Sequence, residues 1–179
     1  LLRELVEIES PSHDKSAVDH MADCLSVECR RLGAQVELVS EKQTGNQVIA
    51  RWTPARAIDS KAQPILLLSH MDTVFPLGTL TKMPFVERNG KIFGPGVADM
   101  KGGIVVALTA LAVLRENGGP NRPIAALFTS DEEIGSRASR PLIEELARQA
   151  CLVLVLEPGL PDGAVKTWRK GVGEFTVRT

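Results

Sequence analysis

The chain has 179 residues, of which 44% are hydrophobic and 24% charged, and its 21 basic and 22 acidic residues leave a formal net charge of −1. That length builds one domain with a sizeable core, or a large piece of a bigger protein, and the composition is that of a soluble globular fold. Balanced charge gives no global field for a polyanion, and 4% aromatics without tyrosine removes the stacking platforms of single-strand binders, so no nucleic acid is expected as partner. No run is expected to reach transmembrane length, so no membrane partner is expected either.

Cys24, Cys29 and Cys151 are odd in number and lack paired metal spacing, which predicts core thiols rather than ligands or a disulfide framework. The chain opens on Leu1 and stops at Thr179 inside the alternating pattern Gly173-Glu174-Phe175-Thr176-Val177. Both ends read as cut, which leaves the compartment, cytoplasmic or periplasmic, undecided.

In chain order, Val18, Met21, Ala22, Leu25 and Leu32 recur at helical spacing and predict an amphipathic helix from Ser16 to Leu32, stopped at Gly33. Gln35 to Val39 and Gln47 to Trp52 alternate with β-branched residues around the turn-like Thr44-Gly45-Asn46, which predicts a hairpin or two adjacent strands. Residues 54–64 are polar and irregular and predict a surface loop. Ile65 to Leu68 is a short continuous apolar run, the mark of a strand buried on both faces. Residues 103–115 predict a largely apolar helix ending toward Asn117-Gly118-Gly119-Pro120. Ile124 to Thr129 predicts another buried strand, Pro141 fits the first turn of a helix running to Gln149 with Ser139 as its cap, and Cys151 to Leu156 repeats the buried-strand signature. Strand, helix, strand, helix, strand is the alternation of an α/β domain with a mixed, mainly parallel central sheet and helices on both faces, where ligands gather at the strands' carboxyl ends.

Metal-seeking side chains fall at those ends: His70 after ILLLS, Glu132 and Glu133 after IAALFTSD, and Glu157 after CLVLVL, with Asp99 in the glycine-flanked GPGVADMKGG. Each has an ordinary explanation alone. His70 could be a hydrogen-bonded core histidine, Asp99 a helix cap, Asp131-Glu132-Glu133 a solvated acidic turn and Glu157 a turn residue. Together they suit a hard or borderline divalent ion, because carboxylates about 4 Å apart repel by roughly 4 kcal/mol per pair at an effective dielectric near 20, and cations reverse that sign. Asp72, two residues past His70, is placed to orient its imidazole. No GxxxxGK[ST] or GxGxxG occurs, which argues against a nucleotide, and His13 and His20 read as surface residues.

The segments SHMDTV (69–74), GPGVADMKGG (94–103), TSDEEIGS (129–136) and LEPG (156–159), in that order, resemble the M20 family of metallopeptidases, especially its glutamate carboxypeptidase-like branch. The resemblance implies a zinc-exopeptidase-like fold, with residues 1–167 as the N-terminal part of a catalytic metal-binding domain. Residues 168–179, including WRKGVGEFTV (168–177), would start an inserted lid and dimerisation domain, truncated here. It implies two divalent ions, zinc first and cobalt or manganese as substitutes. His70 and Glu157 would hold one and Glu133 the other, with Asp99 bridging, Glu132 as general base, Asp72 orienting His70, and a cis peptide between Asp99 and Met100. The implied reaction is hydrolysis of an amide bond in a small peptide or N-acyl amino acid, as a carboxypeptidase releasing a residue such as glutamate or as a deacylase. The full-length protein would dimerise through its lid. The family's further histidine ligand and its lid histidine match none of His13, His20 and His70, so the chain itself looks like a fragment without activity. As an isolated piece it could serve as a non-catalytic metal-binding module.

Overall fold

A computed structural model describes residues 1–54, 62–168, 170, 171, 173, 176 and 177. Its helices are α1 (Leu2–Glu7), α2 (Lys15–Arg31), α3 (Gly102–Glu116) and α4 (Arg140–Gln149). Its strands are β1 (Gln35–Val39), β2 (Gln47–Trp52), β3 (Ile65–His70), β4 (Val86–Arg88), β5 (Lys91–Phe93), β6 (Ile124–Thr129) and β7 (Leu152–Val155). Five strands form one sheet in the order β1-β2-β6-β3-β7. The β1/β2 and β2/β6 pairs are antiparallel, whereas β3 pairs in parallel with both β6 and β7. The expected α/β architecture is therefore present as a mixed sheet, and its parallel half carries all three apolar runs that end in candidate ligands.

Alternation along the strands builds two cores. Val48, Ala50 and Trp52 of β2 and Ile124, Ala126 and Phe128 of β6 face α2 and α3, while Ile49, Ala125, Leu127 and Leu66 face α4. Helices thus cover both faces, and β6, third of five strands, is buried at every position. Asp14 starts α2 by accepting the Ala17 N–H at 2.9 Å, and Gly33 at φ 89° stops it, one residue from the expected limits.

Several expectations change. Ser139 makes no cap bond to α4; its hydroxyl is buried without a partner. β7 is an edge strand rather than a buried one, with Leu152, Leu154 and Val155 exposed, because among the described residues only β3 pairs with it. Cys29 is buried but Cys151 is exposed, and all three cysteines are free. The run Val97–Glu116 is long and apolar enough to pass for a membrane span, against expectation. The backbone is extended at Asp99 (φ −120°, ψ 97°), so α3 starts only at Gly102 and buries Ile104, Ala107, Leu108 and Leu111 in the core. At 15 residues it is about 22 Å long, short of a hydrocarbon core of about 30 Å. The helix α1 and the β4–β5 hairpin were not expected. Of the loop 54–64, residues 55–61 lie outside the described residues; so do 169, 172, 174, 175, 178 and 179 of the expected lid start, and its described residues join no regular element.

Phe128 is 1% exposed at the centre of the larger core. Phe128→Ala is expected to lower unfolding stability by about 3–5 kcal/mol, read from the midpoint of denaturant unfolding.

Candidate metal centre

The parallel register sets the site. His70 is the last residue of β3 and pairs with Thr129, the last of β6, and the Met71 N–H donates to the Thr129 carbonyl at 2.8 Å. Both strands therefore release their next residues at one level of the sheet. Glu157 leaves β7 two residues beyond Val155, with the Leu156 N–H donating to the Leu68 carbonyl at 3.0 Å.

His70 lies at the centre, its side chain 1% exposed. Its Nε2 is 2.9 Å from Asp99 Oδ1, 3.3 Å from Glu157 Oε1 and 4.0 Å from Glu132 Oε2. One ligand atom each from His70, Asp99 and Glu157 lie within 4.8 Å of one another. An ion with bonds of 2.0–2.2 Å spaces its ligands by at most about 4.4 Å, so the two contacts to Nε2 already fit. Glu133 lies outside this trio; it faces Asp99 electrostatically and lines a cavity of about 570 Å³ with Ser12, His13, Val74 and Leu77. Both His13 and His20 are exposed, as expected.

Asp72 meets His70 through its backbone and the acidic turn through its side chain. The nearest acceptor to His70 Nδ1 is the Asp72 main-chain carbonyl at 3.0 Å, with the carboxylate Oδ1 at 3.5 Å. The same buried carboxylate accepts the Glu132 and Glu133 N–H groups, each at 3.2 Å, and the Ser12 hydroxyl at 2.7 Å. It joins the β3 exit to the acidic turn after β6. Asp131, by contrast, turns away: its Oδ2 accepts the Ala138 and Ser139 N–H groups at 2.7 and 3.3 Å and closes the loop into α4.

Other supporting residues carried no signal in the sequence. Gln47 grips Ser130 at the root of the acidic turn, accepting its N–H at 3.1 Å and donating to its hydroxyl at 2.8 Å. Met100 Sδ accepts the His70 N–H at 3.1 Å, beneath the site. The Asp99–Met100 peptide, by contrast, is cis as the family resemblance implied. Lys101, 1% exposed, donates to the Ile8 carbonyl at 2.8 Å, and burial pulls its ammonium down to about 8 against the pull of Glu9. The turn that presents Asp99 needs its glycines: Gly96 sits at φ 70°, and a β-carbon on Gly103 would overlap the Leu156 carbonyl oxygen beside Glu157.

The electrostatics favour a cation. Among the described residues no lysine or arginine pairs with Asp99, Glu132, Glu133 or Glu157, and His70 is the group that faces them. Burial first, then the Asp99 charge, holds the Glu133 and Glu157 carboxyls above their ordinary range. For His70, burial alone would pull the imidazole down, but Asp72, Asp99 and Glu157 together raise it to about 10. The surrounding acids thus favour the imidazolium, and a divalent ion would compete with its proton.

Two outcomes follow from this arrangement. Because the proton must leave before Nε2 can bind metal, affinity for Zn²⁺ is expected to rise with pH from the acid range through neutrality, with net proton release on binding at pH 7. Calorimetric titration in buffers of different ionisation enthalpy measures that release. Gly103→Ala is expected to displace Leu156–Glu157 and weaken zinc binding about 10-fold or more, read by competition with a chromogenic chelator.

Residues 66–173 match the sequence profile of peptidase family M20/M25/M40. Over 158 residues the chain is 37% identical to carboxypeptidase G2 of Pseudomonas sp. (strain RS-16), covering 88% of this chain and 37% of that protein. It is 35% identical over 163 residues to succinyl-diaminopimelate desuccinylase of Nitrosospira multiformis, covering 83% and 41%. The fold superposes on the M20 family metallo-carboxypeptidase Sso-CP2 of Sulfolobus solfataricus with a TM-score of 0.74 at 24% identity, covering 90% of this chain and 38% of that one. The chain therefore spans about two-fifths of the length of these relatives. With its strand-end acids gathered around one buried imidazole and its profile match extending over more than half its length, the chain belongs to peptidase family M20/M25/M40.

Proposed function

We propose that this chain is the metal-binding part of a dinuclear hydrolase that cleaves the amide bond of a peptide or N-acyl amino acid, as a carboxypeptidase releasing a C-terminal residue such as glutamate. The observation that carries the reading is the convergence of His70, Asp99 and Glu157 on one point with Glu132 at its edge. Similarity to carboxypeptidase G2 supports the carboxypeptidase assignment. In this reading His70 and Glu157 hold one ion, Glu133 the other, and Asp99 bridges them. Zinc suits this mixed nitrogen and oxygen set, with cobalt or manganese as substitutes. Bound ions would lower the pKa of a water and polarise the substrate carbonyl.

The residues of the chain supply the rest. Glu132 has a side chain 48% exposed while Asp72 fixes its backbone N–H, so its carboxylate is free to move over the site from an anchored root. It takes a proton from the attacking water and delivers it to the leaving amine as the carbon–nitrogen bond breaks. Asp72 and the Asp72 carbonyl keep the His70 Nδ1 proton in place and leave Nε2 for the ion. Residues 1–167 form the metal-binding part, and 168–179 lead into a lid through which the full-length protein would dimerise.

A second reading, deacylation of an N-acyl amino acid, is favoured by the similarity to the desuccinylase. Glutamyl peptides assayed against acetylated and succinylated amino acids in the full-length protein separate the two. For either substrate Glu132→Gln is expected to retain metal, measured by elemental analysis, and to lower kcat by roughly 10²–10⁴-fold. Unchanged turnover would remove Glu132 from the role of general base.

A further inference from the structure

The Asp72 carboxylate is 1% exposed, and its hydrogen bonds are divided between its two oxygens. Oδ1 faces the Glu132 N–H at 3.2 Å and His70 Nδ1 at 3.5 Å. Oδ2 accepts the Glu133 N–H at 3.2 Å and the Ser12 hydroxyl at 2.7 Å. The hydroxyl bond is the shortest of these, in the range of a charge-assisted O–H···O⁻ bond, and the backbone bonds are long. A hydroxyl has one proton, and the other acceptor near it, the Thr73 carbonyl, is 3.4 Å away, so the proton goes to the carboxylate.

The backbone of Ser12 is held without its side chain. Its N–H donates to the Thr73 carbonyl at 3.2 Å, the Thr73 N–H donates to Ser10 at 2.8 Å, and the Asp14 N–H donates to Pro11 at 2.9 Å. Ser10 adds a bond from its own hydroxyl to the Met71 carbonyl at 2.7 Å. Removing the Ser12 hydroxyl therefore leaves the segment docked and acts on the carboxylate.

We infer that Ser12 is a positioning residue of the metal centre: its hydroxyl sets the rotation of the Asp72 carboxylate, and through it the backbone of Glu132 and Glu133 and the ring of His70. The inference rests on the reading of this site as a metal centre. Ser12 lies 58 residues upstream of His70, outside the four segments of sequence that carry the ligands.

The test uses three substitutions in the full-length protein. Ser12→Ala and Ser12→Val remove the hydroxyl with opposite changes in volume, and Ser12→Thr restores it. Amide hydrogen exchange without metal is the first readout: the Glu132 and Glu133 amides are expected to exchange at least about 10-fold faster in the Ala and Val variants and at the wild-type rate in Thr. Zinc affinity and kcat are the second, each expected to fall about 10–100-fold in Ala and Val, and to recover in Thr. Wild-type exchange in the Ala and Val variants, or a Thr variant as impaired as Val, overturns the inference. Loss of the fold in both hydroxyl-free variants also overturns it, by making Ser12 a folding determinant. A wild-type protein that binds no zinc overturns the metal-centre reading itself, and the exchange data tell that failure from this one.

Discussion

Uncompensated negative charge at the ends of three parallel strands is the constraint on which the rest of this structure depends. Asp99, Glu132 and Glu157 gather around His70 with Glu133 beside them, and no lysine or arginine side chain pairs with these four acids among the described residues. Acids so close together are a poor arrangement for stability, since burial and the neighbouring Asp99 charge both oppose ionisation of Glu133 and Glu157. They are a good arrangement for divalent cations. The fold tolerates the cost because the sheet beneath is buried on both faces, with β6 at its middle and two separate apolar cores.

Precision at the site comes from a small set of buried polar groups. Asp72 ties the β3 exit to the acidic turn, Gln47 ties that turn to the β1–β2 connection through Ser130, and Lys101 ties the Asp99 turn to the end of α1. Each bond spans at least 60 residues of sequence, so the geometry of the centre depends on the tertiary fold rather than on any one segment. The proposed ligands rest on this network, whereas Glu132, the proposed proton carrier, is held at its backbone and has an exposed side chain.

Elements with strong periodicity were legible in the sequence. The spacing of Val18, Met21, Ala22 and Leu25 placed α2 to within a residue, and the apolar runs placed β3 and β6, because burial on one or both faces leaves a pattern of its own. The misses had other causes. β7 has the apolar run of a buried strand but lies at the sheet edge, since composition does not report how many neighbours a strand has. Ser139 was an acceptable cap by residue type, but its backbone is already helical and its hydroxyl finds no N–H. The short α1 and the β4–β5 hairpin bury too little to impose a period.

The sequence by itself determined the alternation of strands and helices and the residue types at the strand ends, because hydrophobic periodicity and ligand chemistry are local properties. Tertiary structure alone decided the register that brings the ends of β3, β6 and β7 level, that Asp131 turns away while Glu132 and Glu133 turn in, and that Ser12 reaches Asp72. Those outcomes rest on strand register and on hydrogen bonds between distant segments, which no window of neighbouring residues encodes.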